Sequence, residues 1–170
     1  VSAFLLNRSS DLDLFGLAQA QVSLPYSDGF ENGIGSWTMS NCHSSTGVTT
    51  SYTPNSGNAA FRFYYSSNYP QYLISPELTG GELGVELSFF YARYSSSYEE
   101  TFKVGYSTTT NDVSAFTFGS EVTVTNLYSN GYLEYTETLP AGTKYVAVAC
   151  TSNDQFYLFL DDFTFTGIGP

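Results

Sequence analysis

Sixteen acidic residues stand against five basic ones, and two groups of acids sit where they could hold a cation. Asp28, Glu31 and Asn32 share one turn near the start; Asp161 and Asp162 adjoin each other near the end. Ca2+ takes about six to eight oxygen ligands, and carboxylates from two segments with backbone carbonyls can supply them. These five residues are the candidate metal ligands, with structural Ca2+ as the expected ion. A first-row transition metal would ask for His or Cys, and the chain has one His and two Cys. Consecutive residues of a regular strand face opposite sides of a sheet, so one of Asp161 and Asp162 is expected to point toward Glu31 and the other outward. The competing expectation is an ordinary turn acid and an exposed strand end.

A second set is aromatic. Tyr64, Tyr65, Tyr69 and Tyr72 surround Ser66-Ser67-Asn68, and Tyr91, Tyr94 and Tyr98 surround Ser95-Ser96-Ser97. Flat rings beside small polar groups stack on sugar faces and serve equally in protein contacts. Most of these rings are expected to fill a core or line a sheet face. Tyr69, Tyr94 and Tyr98, in or beside turns, are expected to be exposed and are the candidate ligand-binding residues.

Catalysis finds few parts. The single His43 lies between Cys42 and Ser44, and no GxSxG elbow accompanies it. Glu99-Glu100 and Asp161-Asp162 are neighbours in the chain, not pairs facing across a substrate. No phosphate loop or dinucleotide fingerprint is present, so an enzyme is not expected. Cys42 and Cys150 lack CxxC spacing and are read either as one disulfide or as two small buried hydrophobes. Asn7-Arg8-Ser9 is a formal glycosylation sequon.

The elements that must position these residues follow from periodicity. Hydrophobic residues make up 42% and charged residues 12% of 170 positions, a composition for one packed domain. A net charge of −11 repels phosphate backbones and anionic lipid, which excludes nucleic acid as partner. Apolar runs are too short to cross a bilayer, so no membrane insertion is expected. Short alternating segments separated by Gly, Pro, Asn and Ser predict about ten strands, over 36–41, 47–52, 59–65, 71–75, 83–94, 101–107, 121–125, 133–139, 144–151 and 156–165. Turns such as Pro54-Asn55-Ser56-Gly57-Asn58 and Ser129-Asn130-Gly131 punctuate them. The fold class is all-β: a two-sheet antiparallel jelly-roll β-sandwich over 22–170 with an N-terminal extension. Residues 1–21 form that arm, either a short helix near Asp11 or a strand, serving as extra packing or as an inter-subunit segment. The chain opens at Val1 rather than Met, as a processed precursor or an excised domain would.

Three segments carry a resemblance. They are Leu24-Pro25-Tyr26-Ser27-Asp28-Gly29-Phe30-Glu31-Asn32-Gly33 with Trp37 close behind, then Tyr72-Leu73-Ile74-Ser75-Pro76-Glu77-Leu78, and finally the third, Leu139 to Ala147 ending in Leu158-Phe159-Leu160-Asp161-Asp162-Phe163. Together they resemble the cleaved-adhesin and choice-of-anchor J modules of bacterial surface proteins, jelly rolls related in shape to MAM domains. That resemblance spans about residues 24–166. It implies a calcium-stabilised sandwich, with Asp162 and Glu31 as closest partners, in secreted or surface-anchored proteins used for adhesion or carbohydrate binding. It does not imply catalysis. The Asp- and Gly-rich loop that often follows the Trp in relatives is missing, so a second metal site is not expected.

Two functions result. One is an extracellular adhesion module whose partners are glycans or surface proteins. The other is a subunit of an extracellular filament, with the arm completing the sheet of the next copy by strand addition.

Overall fold

The computed structural model describes residues 20–170. Residues 1–19 of the arm, with the candidate helix near Asp11 and the Asn7 sequon, lie outside the described residues. Fourteen strands follow: β1 (Gln21–Ser23), β2 (Tyr26–Asp28), β3 (Thr38–Ser40), β4 (Gly47–Thr49), β5 (Ala60–Phe63), β6 (Gln71–Ile74), β7 (Glu77–Thr79), β8 (Val85–Arg93), β9 (Glu100–Ser107), β10 (Thr117–Phe118), β11 (Val122–Val124), β12 (Leu133–Leu139), β13 (Tyr145–Cys150) and β14 (Leu158–Gly167). Among the described residues the only helical turns are two 3-10 segments, Val113–Ala115 and Tyr128–Asn130.

Two antiparallel six-stranded sheets face each other. One runs β10-β9-β13-β6-β3, with β11 also on β9; the other runs β12-β8-β14-β5-β4, with β2 also on β14. A separate parallel pair joins β1 to β7, Gln21 lying opposite Glu77. The predicted all-β sandwich is thus the observed architecture, with one parallel pair added. The long strands match their predicted spans because their alternation is clean. The short β1, β2, β7 and β10, at two or three residues each, lie outside the predicted strands, whereas the equally short β3, β4 and β11 fall inside longer predicted segments.

Alternation also explains the core. On β13, Val146, Val148 and Cys150 enter the space between the sheets beside Leu73, Phe102 and Val104. Its other face, Tyr145 and Ala147, forms a second small cluster with Ile74, covered by Val113, Phe116 and Phe118. Phe118 lies on Gly105 so closely that a Cβ there would come within 2.6 Å of the ring. On β14, Leu158 and Leu160 face inward, yet so do Phe163 and Phe165. The parity changes because a bulge lies between Asp161 and Thr164, where Asp162 adopts φ +51°. Cys42 and Cys150 are free thiols packed against this core, and burial pushes the Cys150 thiol up to about 12.

Candidate functional site

The bulge decides where the acids go. Pairing of β2 with β14 brings the Asp28 segment beside the Asp161-Asp162 segment, Asp28 lying opposite Phe163. The expectation that Asp161 and Asp162 point to opposite faces fails, because it holds only for a regular strand. Asp161 Oδ2 accepts the amides of Asn55 (2.9 Å) and Ser56 (3.2 Å), and its Oδ1 accepts the Asp162 amide at 2.8 Å. Asp162 Oδ2 accepts Asn55 Nδ2 (2.8 Å) and Ser56 Oγ (2.7 Å). Both carboxylates therefore meet one loop. Glu31 meets the same loop farther along, its Oε1 and Oε2 accepting the amides of Asn58 and Ala59 at 2.9 and 3.0 Å. Asp162 and Glu31 share that loop and not a hydrogen bond.

Asp28 turns inward instead. Its Oδ1 accepts the Phe30 amide (2.8 Å), and its Oδ2 accepts Trp37 Nε1 (2.8 Å) and the Tyr26 hydroxyl (2.7 Å). It locks the turn to the core Trp. Asn32 is exposed. Desolvation, with the neighbouring Asp162 charge, raises the Asp161 carboxyl to about 7 against the three backbone amides that favour its charged form.

These are hard oxygen donors, the chemistry Ca2+ requires, and no Lys or Arg is hydrogen-bonded to Glu31, Asp161 or Asp162 among the described residues. Most of the oxygens already accept N–H or O–H, however. Among the described residues no three His, Cys, Asp or Glu side chains are grouped to hold a metal ion. The donor types fit calcium; binding would need loop donors to be displaced.

The aromatic residues make a second site, at one end of the β12-β8-β14-β5-β4 sheet. β5 and β8 both end where β14 begins, since Leu158 pairs with Phe63 on one side and Arg93 on the other. The next residues along, Tyr64, Tyr157 and Tyr94, therefore lie side by side, and the Tyr94 amide still donates to the Tyr157 carbonyl at 3.0 Å. His43 extends the row by stacking on Tyr64 (4.6 Å), and Tyr64 stacks on Tyr65 (4.3 Å). Beneath them the Arg62 guanidinium lies against Tyr157 (4.6 Å) and Tyr64 (5.1 Å) while Nη2 donates to the Ser45 carbonyl. Burial, helped by the Tyr64 hydroxyl, pushes the Tyr157 phenol up to about 12.

In front of this row opens a cleft of about 320 Å3 lined by Tyr65, Tyr98, Asp154, Gln155, Phe156 and Tyr157. Phe156 is its centre: Tyr65 is inclined to it by 56°, Tyr98 by 45° and Tyr157 by 68°. The loop that carries Phe156 is anchored by Glu100, buried, whose oxygens accept the Ser152 hydroxyl (2.6 Å) and the Phe156 amide (2.7 Å). Desolvation raises the Glu100 carboxyl, so the anchor holds a proton more readily than a surface acid would.

Of the predicted ligand-binding residues, Tyr98 is exposed and lines the cleft. Tyr69 is exposed too but stands apart from it. Tyr94 is half-buried, contrary to expectation, because its ring is held between Phe156 (4.6 Å) and Tyr128 (5.5 Å). Asp154, Gln155, Phe156 and Tyr157 were not singled out from sequence. Their signal is the Ser152-Asn153-Asp154 turn running into paired aromatics at the start of a strand.

A protein-family model, the Cleaved Adhesin Domain, matches residues 27–165. No curated protein matches the sequence. Among solved structures, the K1 cleaved adhesin domain of Lys-gingipain from Porphyromonas gingivalis W83 is 28% identical with a TM-score of 0.73, covering 85% of this chain and 98% of that one. The K3 domain of the same protein is 27% identical (TM-score 0.71; 84% and 98%). A family 22 carbohydrate-binding module of Clostridium thermocellum Xyn10B shares the fold at 18% identity (TM-score 0.58; 85% and 92%).

Proposed function

Because this chain belongs to the cleaved adhesin domain family, we propose that it is an extracellular adhesion module that binds glycan in the Tyr65/Tyr98/Phe156 cleft. The observation that carries the reading is the cleft itself. Three neighbouring strand ends bring five rings to one edge of a rigid sandwich, where loops can vary without disturbing the core. Exposed Tyr rings offer apolar faces and hydroxyls together, the combination a sugar requires. The reading is binding rather than chemistry: the single histidine, His43, has Nδ1 occupied by the Ser45 amide at 2.9 Å and does not line the cleft. No described helix is long and apolar enough to cross a membrane; display outside the cell is part of the proposal and rests on the family.

Binding is tested on a glycan array followed by titration of the best neutral ligand. Tyr98→Ala and Tyr65→Ala should each weaken affinity about tenfold, one aromatic contact of about 1.4 kcal/mol, and leave the thermal midpoint unchanged. Unchanged affinity in both variants would place the ligand elsewhere.

Structural Ca2+ at Glu31, Asp161, Asp162 and loop 55–59 is a second part of the proposal, supported by three carboxylates meeting one loop without a cationic partner. A chelator should lower the thermal midpoint and added Ca2+ should restore it; a midpoint indifferent to both sinks the ion.

A further inference from the structure

We propose that the cleft selects uncharged glycans over acidic ones, with the Asp154 carboxylate as the acceptor that grips sugar hydroxyls. This rests on the glycan-binding reading and narrows its ligand class. Asp154 is the charged residue of the lining, and its carboxylate accepts no hydrogen bond from any described residue, although its backbone amide is tied to the Ser66 carbonyl at 2.9 Å. That tie holds Asp154 at φ +51°, a conformation sparsely used by residues other than Gly, Asn and Asp. The backbone is thus fixed while both side-chain oxygens stay open. A carboxylate accepts two neighbouring hydroxyls at once, and charge-assisted bonds of that kind are roughly twice as strong as neutral ones.

Donors and acceptors around it suit hydroxyls as well. Gln155 spends Nε2 on the Asn153 carbonyl, which leaves Oε1 as a further acceptor. Tyr65 accepts the Tyr64 hydroxyl at 3.2 Å, so its own hydrogen is free to donate. Among the described residues no Lys, Arg or His lines the cleft. Arg62 lies near, but against Tyr157 and Tyr64 and bonded to the Ser45 carbonyl, outside the lining residues. A carboxylate or sulfate on the ligand would meet Asp154 with no counter-charge, on a chain of net charge −11. The inclined rings around Phe156 form walls and not a plane, which suits one sugar held from several sides.

Matched pairs test this: lactosamine against its sialylated form, and a neutral xylo-oligosaccharide against the same chain bearing one glucuronic acid. Titration of the full chain at low salt should show the neutral member of a bound pair favoured by about tenfold. Asp154→Asn keeps a residue type that tolerates the backbone conformation. It should weaken the neutral ligand about tenfold and narrow the gap to the acidic one. Equal or stronger binding of the acidic member, or an Asp154→Asn variant that binds both members as the parent does, overturns the proposal. If Tyr98→Ala abolishes binding while Asp154→Asn changes nothing, the cleft reading stands and the charge selection falls. If neither pair binds at all, both fall together.

Discussion

Gly57 gives the sharpest test of how the acid-gripping loop is built. Its φ is +65°, and a Cβ built there would lie 2.6 Å from the Glu31 carboxyl carbon. Gly57→Ala therefore meets two separate costs. The left-handed conformation costs an L-residue about 1 kcal/mol. The methyl also displaces the Glu31 carboxylate, which frees the amides of Asn58 and Ala59. Ala59 is buried, so its unpaired N–H costs about 1–3 kcal/mol, whereas water re-solvates the exposed carboxylate. The sum is about 3 kcal/mol for Gly57→Ala and about 2 kcal/mol for Glu31→Ala. The double variant should lose about 3 kcal/mol and not the additive 5, because the bonds are lost once. Urea unfolding of the four proteins gives the cycle. Additive losses would mean that Glu31 and Gly57 do not share the contact, and the loop account would be wrong.

Asp28→Asn is isosteric, yet one amide cannot accept from Phe30, Trp37 and Tyr26 together; unfolding should show a loss of about 3 kcal/mol, and a loss under 0.5 kcal/mol would remove Asp28 from the turn's support. Asp161 is raised from 3.8 to about 7 in the folded chain, so the folded state binds its proton more tightly than the unfolded one. Its contribution is then complete below pH 4 and declines as pH rises through 7 without Ca2+. Asp161→Asn should flatten stability against pH across that window; an unchanged slope contradicts the assignment. Gly105→Val should expel Phe118 from the face of β9, visible as new hydrophobic-dye binding and a lower thermal midpoint, whereas an unmoved midpoint would mean that Phe118 has another seat.

How far the sequence disclosed this follows from the range of each interaction. Strands such as β8 and β13 are written locally, in Leu87 and Phe89 or Val146 and Val148, and were legible. Asp28 and the Asp161-Asp162 pair fall on neighbouring strands, since β2 and β14 pair, but they do not form one set: Asp28 turns inward to Trp37 and Asn32 is exposed. The directions of Asp161 and Asp162 were not legible, because an inserted residue on β14 depends on the core it must fit. The cleft was legible only at Tyr98, beside its serine turn. Tyr65 was expected in a core or on a sheet face, and Phe156 and Tyr157 read as the start of a strand. What joins them is that β5, β8 and β14 end at one edge, a fact of topology. Tyr94 was misread for the same reason: the rings that cover it come from residues 128 and 156.

The bulge on β14 also ties two histories together. Leu158 and Leu160 need one phase, Phe163 and Phe165 the other, and the extra residue is what lets a single strand satisfy both. Deleting Asp162 would do more than remove an acid: it would turn the outer half of the strand over and present Phe163 and Phe165 to solvent. The acid site therefore cannot be erased by deletion without unmaking the core, although it can be silenced by substitution. Descendants of this chain that lose the acids should still keep the bulge, occupied by Asn or Gly. A vestige of that kind would mark common ancestry after the acids had gone.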